Sequence, residues 1–158
     1  MLGMRRILSL LAAAAIVIFA TRYANGEEYS AEFTGVPYTI DAGTIRIGNV
    51  AIRLHGIDAP APKKTCKRAD GKLWRCGWEA TMALANIVGE HWVICKPARS
   101  GAAPPVAAVC RAGVLDINEW MVRNGWAEAS RRTVRGYGAA EREAMKARRG
   151  IWQGRPIR

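Results

Sequence analysis

The run from Tyr38 to Ile57, "YTIDAGTIRIGNVAIRLHGI", limits the fold more than any other stretch. Its apolar residues fall at every second position: Ile45 and Ile47, then Val50, Ile52 and Leu54. A period of two places one side of each segment on a core and the other in water, which is the pattern of half-buried strands. Gly48-Asn49 separates the two runs and predicts a hairpin turn.

The remainder of the chain continues the alternation of element types. "APAPKKTCKRADGKLWRCG" reads as a basic loop with two prolines and an Asp-Gly turn. "WEATMALANIVGEH" places Trp78, Met82, Ala85 and Val88 on one helical stripe, widened by Leu84 and Ile87. "WVICK" (92–96) and "VAAVC" (106–110) are strand-like runs on either side of a soft loop. "LDINEWMVRNGW" predicts a second helix, with Asp116 as N-cap, Glu119 answering it in a capping box, and Asn124-Gly125 as the left-handed stop. "GAAEREAMKARRGIW" predicts a third helix ended by Gly150, after which Ile151 and Trp152 dock. Three strands, a helix, two strands and two helices fit an α+β fold: a five-stranded OB-type β-barrel with three α-helices.

The first residues stand apart. Arg5 and Arg6, an apolar run from Ile7 to Ala20 and the small residues of Ala24-Asn25-Gly26 have the layout of a secretory signal peptide. The apolar run is short for a bilayer span, which needs about 20 residues. The division expected is therefore 1–26 signal peptide, 27–37 lead-in, 38–153 folded domain and 154–158 tail. Without cleavage the chain would stay anchored by its N-terminus. With cleavage it is exported, periplasmic or secreted, with no membrane span, and a monomer is expected. All four cysteines, Cys66, Cys76, Cys95 and Cys110, lie in the mature part, and an even count behind an export signal argues for two disulfides. Three pairings are open. Cys66–Cys76 is favoured because it closes the basic loop, and Cys95–Cys110 because it links two strand-like runs. No C-x-x-C is present, and His55 and His91 lack zinc-ligand spacing.

Several blocks carry a family resemblance: "GTIRIGNVAIRLHGIDAP", "WRCGWEATMAL", "VAAVCRAGVLDINEWMVRNGWAEA" and "EREAMKARRGIW". Together, from about Tyr38 to Trp152, the sequence resembles the staphylococcal nuclease (thermonuclease-like) family. The resemblance implies calcium-dependent hydrolysis of DNA and RNA. That chemistry uses carboxylates to hold a hard cation, a carboxylate to activate water, and two arginines to meet the charge of the transition state.

Residue by residue, the family's motifs are only partly present. Asp-Gly-Asp-Thr is here "DAGT", so Gly43 stands where a calcium-ligand aspartate is expected. In "RLHGIDAPA", Arg53 and Asp58 match the first arginine and the second metal carboxylate, while Ala61 replaces the catalytic glutamate. The Tyr-Gly-Arg motif gives way to "AAPPV", with Pro105 or its neighbour in place of the second arginine. Losing one positioned donor costs ~10²–10³ in rate. Losing general-base assistance costs about 10²–10⁴. Asp58 is the retained metal carboxylate; Asp41 is a weaker candidate, because the strand rise displaces it by roughly 6–7 Å from Gly43. Nothing places Glu79 at the site. Arg53 and Asp58 are also read as a structural ion pair within the barrel pocket.

The net charge of +11 falls to about +8 once Arg5, Arg6 and Arg22 are removed with the leader. Such an excess suits nucleic acid or another polyanion. Lys63, Lys64, Lys67 and Arg68 are candidate contacts, with Trp74 as an exposed stacking side chain, whereas Trp78, Trp120 and Trp152 are expected to pack in the interior. The reading is an exported thermonuclease-like domain that binds nucleic acid or another polyanion without efficient hydrolysis. Its alternatives are an active calcium-dependent endonuclease and an envelope interaction protein. No cofactor is expected, calcium being required only for the active nuclease.

Overall fold

The computed structural model describes residues 32–99, 101–133 and 136–154. The expected signal peptide, residues 27–31 of the lead-in and residues 155–158 of the tail lie outside the described residues. The strands are β1 (Phe33–Gly35), β2 (Tyr38–Asp41), β3 (Thr44–Ile47), β4 (Val50–Leu54), β5 (Ile57–Asp58), β6 (Cys66–Lys67), β7 (Leu73–Trp74), β8 (Val93–Pro97), β9 (Val106–Ala112), β10 (Leu115–Asp116) and β11 (Glu128–Ala129). The helices are α1 (Cys76–Val88), α2 (Ile117–Arg123) and α3 (Gly138–Lys146), followed by a 3₁₀ turn, Gly150–Trp152.

The five expected strands are β2, β3, β4, β8 and β9, and they form an OB-type barrel. The β2–β3–β4 meander is antiparallel, β4 runs parallel to β9, and β9 turns antiparallel onto β8. The Gly48-Asn49 hairpin forms as expected, with Ile47 opposite Val50 and Gly48 at a φ of 56°. The lead-in contributes more than expected. Its residues 33–35 form β1, which pairs with β8, Phe33 opposite Cys95, and also lies against β3. The inward positions are the alternating ones: Ile45, Ile47, Ile52, Leu54, Val93 and Ala108 are all buried. Burying each large aliphatic side chain contributes about 1.5–3 kcal/mol relative to exposure.

Both favoured disulfides are present, Cys66–Cys76 and Cys95–Cys110. Cys95 and Cys110 face each other across the β8–β9 ladder on the inward side, fully buried. Replacing both by alanine opens a loop with a sequence separation of 15. The expected loss is about 3 kcal/mol, read as a lower urea midpoint, and the wild-type bond should resist mild reductant until the barrel unfolds.

The helix α1 is in place, and Leu84 and Val88 of the expected stripe are buried, but the rest of the buried face is rotated. Cys76, Gly77, Ala80, Leu84 and Val88 face the interior, whereas Trp78 is 48% exposed and Met82 39% exposed. Two anchors set this rotation. Cys76 is tied to Cys66, and Gly77 lies so close to the preceding loop that a Cβ there would sit 1.8 Å from the Ala61 carbonyl oxygen. Trp74 is corrected in the opposite sense. It is only 6% exposed and packs in a second small core with Ile151 and Trp152, its ring edge-on to Trp126 at 6.4 Å between centroids.

Asp116 caps α2 by accepting from the Glu119 amide at 3.0 Å. The capping box is not completed, because the Glu119 carboxylate turns to Arg123 one helical turn later. Gly125 ends this segment with φ at 73°, as expected. The third helix is shorter than expected, stopping at Lys146, and Gly150 begins the 3₁₀ turn that docks Ile151 and Trp152. Arg149 Nη1 donates to Glu143 at 3.0 Å and to the Arg123 carbonyl at 3.0 Å, joining α2 to the chain end. The hydrogen bond from Arg149, backed by Arg123, holds the Glu143 carboxyl below its ordinary value. Among the described residues no helix is long and apolar enough to cross a membrane.

Candidate functional site

A cavity of about 530 Å³ opens where the β2–β3 turn, β4, β5 and the following loop meet. It is lined by Asp41, Gly43, Arg53, Asp58 and Ala61 of the family-motif positions. Arg53 points outward from β4 because its neighbours Ile52 and Leu54 take the two inward positions. Gly43 lies in the turn beside it, and the Gly43 carbonyl accepts from the Leu54 amide at 2.8 Å. Ala61 lies in the loop after β5, which is wedged onto the first residues of α1. The Ala61 carbonyl accepts from the Lys64 amide at 2.8 Å, and the Lys64 carbonyl from the Gly77 amide at 3.1 Å. Lys63 and Lys64 are exposed on this loop, next to the cavity wall formed by Pro62.

Asp41 is nearer than strand geometry implied. Residues 42 and 43 form a turn, not a continuation of the strand, so the pairing jumps from Thr39–Ile45 to Asp41–Thr44. Asp41 Oδ1 accepts from the Gly43 amide at 2.8 Å and lies 3.8 Å from the point a Cβ on Gly43 would occupy. The expected displacement of 6–7 Å is therefore corrected. Pro105 precedes β9, whose first residue, Val106, pairs with Ile52, and it does not line the cavity. Glu79 lies on α1 within 4.0 Å of Arg68, also away from the cavity.

The expected Arg53–Asp58 pair does not form among the described residues. Asp58 is instead 3.5 Å from Arg132 Nη2, an arginine whose side chain is 85% exposed. The cause is a pairing with no visible signature in the sequence. Two-residue β5 runs antiparallel to two-residue β11, which sets Asp58 opposite Glu128. Directly opposed like charges destabilise a strand pair, and Arg132, four residues beyond Glu128, brings a compensating cation. The Ser130 amide donates to the Gly56 carbonyl at 2.9 Å and the Ala129 amide to Glu141 at 2.9 Å, holding this segment in place. Glu128 and Arg132 thereby join the cavity, and neither was singled out from the sequence.

Asn118 is the other residue that sequence reading missed. It is fully buried and works through its side-chain amide. Its Oδ1 accepts from the Cys110 amide at 3.1 Å, and its Nδ2 donates to the carbonyls of His55 at 2.8 Å and Ala108 at 3.0 Å. One side chain thus ties α2, β9 and the turn leading into β5. The Asx-like spacing of helix and cap offers no local hint that this asparagine points inward.

Calcium takes six to eight oxygen ligands, and these donors do not fit it. Asp41 Oδ1 is engaged by a backbone amide, Asp58 is paired with Arg132, and the positions at Gly43 and Ala61 supply no side-chain oxygen. Among the described residues no three Asp, Glu, His or Cys side chains converge as a metal-holding group. What the cavity offers is a mixed-charge surface, two arginines among three carboxylates, open to water.

An OB-type barrel with a polar cavity between its β2–β3 turn and the loop after β5 defines a class of small barrel domains that present a ligand site on one rim. The family model described as "Staphylococcal nuclease homologue" matches residues 51–154, from within β4 to the end of the described chain, and the chain belongs to that family. The match begins after the β2–β3 turn, so Gly43 lies outside it. No match is found among curated proteins.

Proposed function

We propose that this protein is a nucleic-acid-binding member of the staphylococcal nuclease family that does not hydrolyse phosphodiesters efficiently, and that it acts after export. The observation that carries this reading is the pairing of an intact family scaffold with a cavity in which Gly43 and Ala61 stand where the chemistry requires carboxylates. Exposed cations of the basic loop, Lys63, Lys64, Lys67 and Arg68, and the exposed Arg132 would contribute contacts to a polyanion. The stacking role assigned to Trp74 passes to Trp78, which is half exposed and has the Arg75 guanidinium 4.9 Å above its ring. Stacking on an aromatic face contributes ~1–3 kcal/mol per base. Two disulfides support an oxidising compartment.

The test is fluorescence anisotropy of a labelled single-stranded oligonucleotide with purified mature protein. Binding is expected at low salt, and log K should fall with log salt at a slope of about −0.7 per phosphate neutralised. Equal affinity for an acidic polysaccharide or for anionic vesicles would favour the envelope interaction reading. Cleavage that a chelator abolishes, and that is lost in Arg53→Ala and Asp58→Asn, would establish the active nuclease in its place.

A further inference from the structure

A second cavity, a groove, lies beside the family's site and is larger than it. It measures about 1,020 Å³ and runs over the outward faces of β8 and β9. Its floor is a checkerboard in which Ile94 lies opposite Arg111 and Lys96 opposite Val109. His55 and Arg132 form the wall towards the first cavity, and Arg132 lines both.

The two cavities differ in charge. The family cavity is lined by Asp41, Asp58 and Glu128 against Arg53 and Arg132, a net negative set. Among the described residues the groove is lined by Lys96, Arg111 and Arg132 against Glu32, a net positive set. A polyphosphate chain is repelled by the first and attracted by the second. The ion pairs already present do not close the groove. Lys96 meets Glu32 at 2.9 Å and Arg111 meets Asp116 at 3.9 Å, but the side chains of Lys96 and Arg111 remain 70% and 50% exposed. Exposed pairs of this kind contribute little and yield readily to a phosphate.

We infer that the β8–β9 groove, and not the vacated family cavity, is the principal binding track for single-stranded nucleic acid. Lys96, Arg111 and Arg132 contact backbone phosphates, while Ile94, Val109 and Pro97 give the sugars and bases an apolar floor. Lys96 and Arg111 lie on diagonal positions of adjacent strands, about 7–8 Å apart at the backbone, so each is placed to meet its own phosphate. No base-reading side chain is fixed in the groove, so binding is insensitive to sequence. This inference rests on the nucleic-acid reading above and assigns its site.

The experiment measures binding of labelled oligothymidylate to the mature protein across a salt series, for wild type and for Lys96→Glu/Arg111→Glu. Both positions are exposed, and retained circular dichroism and thermal midpoint show that the variant is folded. The double variant is expected to lose ~10²-fold in affinity, with the salt slope shallower by about 1.4, two contacts at 0.7 each. Lys96→Arg should keep both quantities close to wild type. If wild type binds and the double variant binds as tightly, the groove assignment falls while the nucleic-acid reading stands. A larger loss from Arg53→Ala than from the double variant would return the track to the family cavity. If wild type fails to bind any single strand at low salt, both readings fall together. Equal displacement by an acidic polysaccharide at matched charge overturns the nucleic-acid assignment of the groove.

Discussion

Incubated with single-stranded DNA and calcium, the purified protein should release product at least ~10⁴-fold more slowly than an active member of its family, as judged by acid-soluble nucleotide. The figure follows from two separate losses. On the proposed reading, Ala61 in place of a glutamate removes base assistance, on the order of 10²–10⁴. On the same reading, Pro105 or its neighbour in place of the second arginine removes a positioned donor, about 10²–10³. The two act on one transition state and do not simply multiply, so the lower part of the combined range is the expectation. The structure also says what reversal requires. A side chain at Gly43 would start 3.3 Å from the Ala59 Cβ and 3.8 Å from Asp41 Oδ1, so Gly43→Asp would set a second carboxylate beside Asp41 with only a small adjustment of Ala59. Gly43→Asp, Ala61→Glu and Pro105→Arg together are expected to gain cleavage that a chelator abolishes. Chelator-sensitive cleavage by the wild-type protein, lost on Asp58→Asn, would overturn the account.

Asn118→Ala should destabilise the domain by about 3–5 kcal/mol, measured by urea unfolding. The substitution leaves the Cys110 amide and the His55 carbonyl without their Asn118 partner and removes one of two donors to the Ala108 carbonyl, which keeps the His55 amide at 2.8 Å. An unsatisfied buried backbone group costs about 1–3 kcal/mol. Asn118→Leu should do no better, since all three partners are backbone groups that it cannot satisfy. Asn118→Asp keeps the acceptor for the Cys110 amide but turns a carboxylate onto two carbonyls. Its folded-state carboxyl should therefore be harder to ionise than in the unfolded chain, and the variant should gain stability as pH falls. A loss below about 1 kcal/mol for Asn118→Ala would mean that water or a rearranged backbone replaces the amide.

The places where sequence and structure part have a common origin. Trp78 turned outward because apolar spacing on α1 allows more than one buried face, whereas Trp74, on β7, is covered by Ile151 and Trp152 from the far end of the chain. The choice fell to Cys76, held by its disulfide, and to Gly77, pressed against the Ala61 carbonyl. Asp41 came close to Gly43 because a two-residue turn folds back, whereas a continuing strand would have carried it away. Arg132 reached Asp58 through β5 and β11, strands of two residues each, too short for any periodicity to show.

The sequence by itself determined the barrel strands, their hairpin, the Asp116 cap and the family, while the cysteine pairing it favoured among three was decided by the fold. Each is written in a short-range pattern, alternation, a turn dipeptide, a cap or a motif, and such patterns act over a few residues. Tertiary structure alone decided which helix face is buried, which cations surround the family cavity, and that a larger basic groove lies next to it. Those features depend on pairing between segments far apart in the chain, where the free energy comes from packing and charge across the contact and leaves no local trace.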